Sequence, residues 1–227
     1  MCACAHEGEA GLSSQRPLTI APDVFLWREK FSSPQQRQLL DDVAARLEQA
    51  PLYRPVMPNT GKAFSVEESN FGALGWVADK NGYRYQPVHP VTGLPWPAIP
   101  QALLDLWAEI NQPPAPQCCL VNLYRAGAKM GLHQDRDEKD TSAAVIGVSL
   151  GDEALFRIGG RFVDGKWARG GKTLSVALAS GDVIAFGGAA RLAYHGIDRI
   201  KPGSSRLLPN GGRLSLTLRR VAGWGTS

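Results

Sequence analysis

Cysteine and histidine are both scarce in this 227-residue chain, with four of each. The cysteines fall as Cys2, Cys4, Cys118 and Cys119, two tight pairs without the spread of a disulfide framework and without the repeated Cys-X-X-Cys of a zinc knuckle. On a strand Cys118 and Cys119 would alternate between faces and read as small buried hydrophobes. Cys2, Cys4 and His6 sit in a segment with no periodicity. No apolar run approaches the roughly 20 residues of a membrane span. The first residues, Met-Cys-Ala-Cys-Ala-His-Glu-Gly-Glu, carry acids rather than a basic and then apolar leader. These absences exclude a secreted disulfide scaffold and a helical membrane protein, and the expected location is the cytoplasm. There is no Gly-X-Gly-X-X-Gly, no P-loop and no internal repeat.

What is present is an ordinary soluble composition, 44% hydrophobic and 20% charged, long enough for one domain of good size. The 25 basic and 21 acidic residues leave a net charge of +4 and a pI near 9.0. A balance this mild permits an anionic partner but requires a specific site to hold one.

Along the chain, residues 1–20 read as a disordered tail and 21–222 as a single catalytic domain. Val24 to Trp27 predicts a short strand. Ser33 followed by Pro34 predicts a helix start, and Leu39, Leu40, Val43 and Leu47 recur at helical spacing through Glu48. Residues 51–100 are punctuated by proline and glycine, with Phe64, Phe71, Trp76, Tyr83, Tyr85 and Trp96 scattered among them. Aromatics on a loop-rich segment suit a lid that stacks on something flat, or else fill an irregular second cluster. Gln101 to Ile110 predicts a second helix, ended by Pro113-Pro114. From about 115 to 222 the chain turns to β, with strands expected at Gln117–Tyr124, Ala143–Leu150, Ala154–Ile158, Lys172–Val176, Asp182–Phe186 and Leu214–Arg219. Gly159-Gly160, Gly170-Gly171 and Gly187-Gly188 are read as tight returns. Short strands after a helical preface predict a mainly β fold with flanking helices, built on a double-stranded β-helix or jelly-roll core.

Within that core the chemistry concentrates in residues 118–138. His133 and Asp135 are two apart, so on extended backbone they face one way and reach one cation together. Any polar pair on a strand edge gives the same tripeptide, so the weight falls on a distant third ligand. His195, in Arg-Leu-Ala-Tyr-His-Gly, supplies it. Two histidines and one carboxylate form the facial triad of non-haem Fe(II) oxygenases, leaving three open coordination positions. In the commonest case 2-oxoglutarate takes two of them, and its distal carboxylate needs a cation. The last strand alternates Arg213, Ser215, Thr217 and Arg219 with Leu214, Leu216 and Leu218, setting two arginines and two hydroxyls on one face.

Asn122-X-Tyr124, His133-Gln-Asp135-X-Asp137-Glu138, Ser149-Leu-Gly151, Phe156-X-X-Gly159-Gly160, Gly181-Asp182, Arg191-Leu-X-Tyr194-His195-Gly196 and Arg213-X-X-Leu216-Thr217-X-Arg219 together resemble the AlkB family of Fe(II)/2-oxoglutarate dioxygenases, which repair alkylated nucleic acid. The likeness runs from about residue 72 to 221 and is greatest to the bacterial type. Gly75-Trp76, Gly82-Tyr83-X-Tyr85 and Trp96-Pro-X-X-Pro100 resemble the family's nucleotide-recognition lid. The resemblance implies that His133, Asp135 and His195 bind Fe(II). It implies that Asn122, Tyr124, Arg213, Ser215 and Arg219 hold 2-oxoglutarate, with Arg219 on the distal carboxylate and Arg213 near the metal-side one. Trp76 and His133 would sandwich a flipped base, with Tyr83 on its backbone phosphate, Asp137 on its exocyclic amine, and Tyr85, Glu138 and Arg161 as further substrate contacts. Two positions depart from the family pattern. Ser215 stands where an asparagine is usual, and Val163 where a basic residue is usual, leaving Arg161 or Lys166 to substitute.

The implied reaction consumes O2 and 2-oxoglutarate and removes the methyl group of 1-methyladenine or 3-methylcytosine as formaldehyde, leaving succinate. The implied partners are alkylated single- or double-stranded DNA and, as a second polymer, RNA; no membrane partner is implied, and a monomer is expected. The alternatives are an oxygenase of the same chemistry acting on a protein or small molecule, and a barrel that binds metal and nucleic acid without turnover.

Overall fold

The computed structural model describes residue 12, residues 16–111 and residues 114–222. Cys2, Cys4, His6 and Pro113 lie outside the described residues. Residues 18–20, expected in the tail, are instead part of a strand: Leu18–Ala21 forms β1, which pairs antiparallel with β2, Val24–Trp27. Helix α1 follows at Ser33–Gln49, capped one residue earlier than expected by Ser32, whose backbone N–H donates to the Gln35 side chain at 2.9 Å. The remaining elements are β3 (Glu67–Phe71), β4 (Gly75–Asp79), β5 (Gly82–Gln86), α2 (Gln101–Ile110), β6 (Cys118–Tyr124), β7 (Met130–His133), β8 (Val145–Gly151), β9 (Ala154–Val163), β10 (Lys166–Leu178), β11 (Val183–Phe186), β12 (Tyr194–Ile200) and β13 (Arg213–Arg219).

Two sheets form the double-stranded β-helix. The major sheet runs β1-β2-β11-β8-β13-β6-β3, and the minor sheet runs β10-β9-β12-β7. Helices α1 and α2 cover the outer face of the major sheet, where Leu39, Val43, Leu103, Leu106 and Trp107 pack on Leu214, Leu216 and Leu218 of β13. Burying a leucine is worth about 1.5–3 kcal/mol, so the three leucines fix which way β13 faces. Its alternate residues, Arg213, Ser215, Thr217 and Arg219, therefore point between the sheets, where polar side chains on a strand are seldom found, and all four line the central cavity. The same two-sided burial accounts for Cys118 and Cys119, both fully buried and each in a different apolar cluster.

The segment 51–100 carries more order than its composition suggests. Part of it, β3, joins the major sheet, and Phe71 and Trp96 are buried rather than presented to a ligand. Trp76, Tyr83 and Tyr85 stand on a separate two-stranded hairpin, β4–β5. It is seated on Trp96, which donates from its indole N–H to the Gln86 carbonyl at 2.8 Å. A Cβ on Gly75 would come within 2.4 Å of that ring, so only glycine allows the hairpin this close. Asn70 clamps Trp76 by both backbone groups, at 3.0 and 2.9 Å.

Two of the three expected glycine returns are not turns. Gly159-Gly160 and Gly170-Gly171 lie inside β9 and β10, whose actual turn is Asp164-Gly165. The pairing runs Ala168 with Arg161 and then Thr173 with Gly159, so residues 169–172 oppose Gly160 alone. Gly160 meets the Ala168 carbonyl at 3.0 Å from where a Cβ would be, at a φ of +137°. The glycines permit this wide bulge, and Arg169 within it lines the cavity.

Candidate active site

The histidines of the triad come from strands that composition did not reveal. β7 and β12 are short or glycine-broken, and their register sets His133 directly opposite His195, with ring centroids 4.5 Å apart. Each ring is oriented by a backbone carbonyl at Nδ1: Gly131 at 2.9 Å for His133 and Ala193 at 3.1 Å for His195. Both Nε2 atoms are thereby left for a common partner. Asp135, just past β7, places Oδ1 at 3.6 and 3.7 Å from the two Nε2 atoms. Its other oxygen, Oδ2, accepts from Arg219 Nε and Nη2 at 2.9 and 2.8 Å. One carboxylate oxygen is thus held by a guanidinium and the other is free for a cation.

Burial alone would raise the Asp135 carboxyl, but Arg219 and the two histidines outweigh it and hold its pKa well below the usual range. Burial lowers His195 to about 4, leaving it neutral and a competent ligand at pH 7. For His133 burial also acts downward, yet its hydrogen bond and charge contact with Asp135 prevail and its pKa is raised.

Behind the triad is a cavity of about 540 Å³. Its far end holds Arg213, six residues along β13 from Arg219 and 2% exposed. Arg213 donates from Nη2 to Ser149 Oγ at 2.9 Å and lies over the Tyr124 ring at 5.4 Å, while Nε and Nη1 have no partner. Asn122 Oδ1 is likewise buried without one. This placement runs against the assignment of Arg219 to a distal carboxylate: Arg219 is already spent on Asp135, and Arg213 is the arginine with donors to offer at the deep end. Residue spacing put both arginines on one face but could not say which of them lay beside the metal.

Other expected contacts divide. Trp76 and Tyr83 reach the cavity and stack on each other at 5.4 Å and 15°. Asp137 sits beside them, accepting from the Trp76 indole at 2.8 Å. Glu138 faces the cavity but is engaged by Arg191 at 3.3 Å, by Arg219 at 3.6 Å and by the Tyr85 hydroxyl. Tyr85 does not line the cavity, and these two side chains brace the arginines rather than stand open to a ligand. Arg161 and Lys166 are exposed on the β9–β10 hairpin and do not line it either. The basic residue that does is Arg169, in the bulge and 5.8 Å over the Tyr194 ring. Its only sequence signal was the Gly-Gly pair beside it. Arg191 is also a missed participant, donating from Nη1 to the Asp135 carbonyl at 2.8 Å and so fixing the loop that carries the triad carboxylate.

Comparison with known proteins is decisive here. The family model for the 2OG-Fe(II) oxygenase superfamily matches residues 21–219. The chain belongs to the AlkB family of these dioxygenases. It is 52% identical over 209 residues to an alpha-ketoglutarate-dependent dioxygenase AlkB homolog of Caulobacter vibrioides, covering 91% of each chain. It is 38% identical over 212 residues to the alpha-ketoglutarate-dependent dioxygenase AlkB of Escherichia coli, covering 91% of this chain and 93% of that one. The solved structure of OsALKBH1 superposes with a TM-score of 0.72 at 29% identity, over 88% of this chain and 99% of the other. The cosubstrates of the family are O2 and 2-oxoglutarate, with Fe(II) as metal.

The residues present fit those groups. His133, Asp135 and His195 offer ligand atoms that all lie within 4.8 Å of one another, two imidazole nitrogens and one carboxylate oxygen suited to Fe(II). Arg213, whose Nε and Nη1 are buried donors without a partner, is suited to a carboxylate ligand.

Proposed function

We propose that this dioxygenase removes methyl groups from N-alkylated bases such as 1-methyladenine and 3-methylcytosine in DNA, single- or double-stranded, and in RNA. The observation that carries the reading is the Trp76–Tyr83 aromatic pair with Asp137 beside it, set on a clamped hairpin at the mouth of the triad cavity. A flat base stacks on such a platform, and a base made cationic by methylation is favoured over the neutral one by the aromatic face and the nearby carboxylate.

Bound Fe(II), with O2 and 2-oxoglutarate, supplies the oxidation that hydroxylates the methyl carbon, after which formaldehyde leaves and the 2-oxoglutarate departs as succinate and CO2. The residues of this chain orient and exclude. His133, His195 and Asp135 would hold Fe(II), and Arg219 keeps Asp135 ionised and in a single orientation. Arg213 anchors the distal carboxylate of 2-oxoglutarate, with Asn122, Tyr124 and Ser215 alongside. Arg169 and Arg136, both at the cavity edge, provide positive charge where a phosphate backbone would pass. A base inside duplex reaches the platform only by flipping, which costs a few kcal/mol and least at a lesion that cannot pair.

The test is to incubate the protein with Fe(II), ascorbate, 2-oxoglutarate and an oligonucleotide bearing one 1-methyladenine, then weigh the oligonucleotide and measure succinate. Loss of the methyl group with equimolar succinate is the expected result. Succinate without methyl loss would move the substrate to a protein or small molecule.

A further inference from the structure

Glu68 has no part in the scheme above and is the least accounted-for polar group in the cavity. It is fully buried, lines the cavity, and neither carboxyl oxygen has a hydrogen-bond partner. Register explains where it points. Glu68 of β3 lies opposite Asn122 of β6, Asn122 opposite Ser215 of β13, and Ser215 opposite Ser149 of β8. Residues directly opposed on antiparallel neighbours share a face, so these four form one polar rung across the inner face of the major sheet. The adjoining rung carries Tyr124 and Arg213. A carboxyl, an amide oxygen and a guanidinium with unused hydrogen-bonding capacity therefore border one volume.

An ionised carboxylate with both oxygens buried and unpaired costs several kcal/mol. Beside a bound dicarboxylate it would also repel the ligand, whereas a protonated carboxyl is a donor. We propose that Glu68 is a binding residue for 2-oxoglutarate which, as a neutral acid, donates a hydrogen bond to a ligand carboxylate, so that binding draws in one proton wherever the free protein has lost it. The inference rests on the dioxygenase assignment. The groups around Glu68 agree with it. Burial raises Glu68 to about 8, opposed by the charge of Arg219. Tyr53, from the segment before β3, and Tyr124, raised to about 12, are both pushed up by burial and feel the Glu68 charge. Arg213 and Arg219 supply positive charge from β13, and Asp79 and Arg84 of the hairpin are paired with each other at 2.8 Å.

The experiment is calorimetric titration of 2-oxoglutarate into the full chain loaded with Mn(II), between pH 6.5 and 9, in two buffers of different ionisation enthalpy. In the free protein Glu68 holds its proton below about 8, so affinity is expected to be level there. Above it, Kd should rise toward ~10-fold per pH unit, with proton uptake approaching one per ligand. Glu68→Gln, which keeps a donor and cannot titrate, should bind within about threefold of the parent at pH 7 and lose the alkaline rise; Glu68→Ala should bind about tenfold more weakly. A level Kd from pH 7 to 9 in the parent, or an alkaline rise that survives in Glu68→Gln, overturns the proposal. Failure to bind 2-oxoglutarate at any pH would instead remove the dioxygenase assignment, and the proposal with it.

Discussion

Glu68 should also impose a pH dependence on folding that can be read without any ligand. Its carboxyl rises from an ordinary 4.5 to about 8 on folding because it is desolvated. Between those values the folded chain binds a proton that the unfolded chain has released, so stability falls as pH rises. Glu68→Gln carries no such penalty. The gap in unfolding free energy between variant and parent should therefore widen by ~1.4 kcal/mol per pH unit within this window, or about 2 kcal/mol from pH 6 to 7.5. For a chain of this size that is a Tm difference growing by about 4–8 °C. Because the histidines and Asp135 titrate alike in both proteins, the difference isolates Glu68. Urea denaturation of metal-free protein at four pH values, with equal m-values confirmed, measures it. Parallel stability curves would show that Glu68 is ionised in the fold and has found a partner or water, and the reasoning from its burial would fail.

Asp135→Ala removes the charged triad ligand and leaves Arg219 without its main partner; Mn(II) binding, followed by electron paramagnetic resonance, should be lost and turnover abolished. Arg213→Lys keeps the charge but not the planar fork; KM for 2-oxoglutarate should rise at least about tenfold, with little change in Mn(II) affinity. An unchanged KM would return the distal carboxylate to another group. Asp137→Asn should cost about 1–2 kcal/mol in kcat/KM for a cationic methylated base and less for a neutral alkylated one, measured on paired oligonucleotides. Gly75→Ala sets a Cβ 2.4 Å from the Trp96 ring; it should lower Tm and raise KM for the oligonucleotide more than for 2-oxoglutarate, since the hairpin must lift.

The triad residues, the polar face of β13 and the jelly roll were legible in the residues because they rest on short-range rules. His133 and Asp135 are two apart, β13 alternates strictly, and Leu214, Leu216 and Leu218 mark the buried side. β1, β3, β4, β5, β7 and β12 were not predicted as strands; of these, β7 is four residues with one glycine and β12 seven broken by Gly196, and pairing with each other and with β9 makes them strands, not their own composition. Gly159-Gly160 and Gly170-Gly171 read as turns for a related reason. A positive φ serves a turn or a bulge equally well, and only the register of β9 against β10 tells them apart.

The sequence by itself therefore determined which chemistry the chain can do: the ligand types, their spacing and the polar face of the last strand. Tertiary structure decided how those groups are used. It gave Arg219 to Asp135 and left Arg213 free, it turned Tyr85 and Glu138 inward as braces, and it brought Arg169 rather than Arg161 to the cavity. It also buried Glu68 across from Asn122. Each of these depends on cross-strand register and desolvation, which have no local signature.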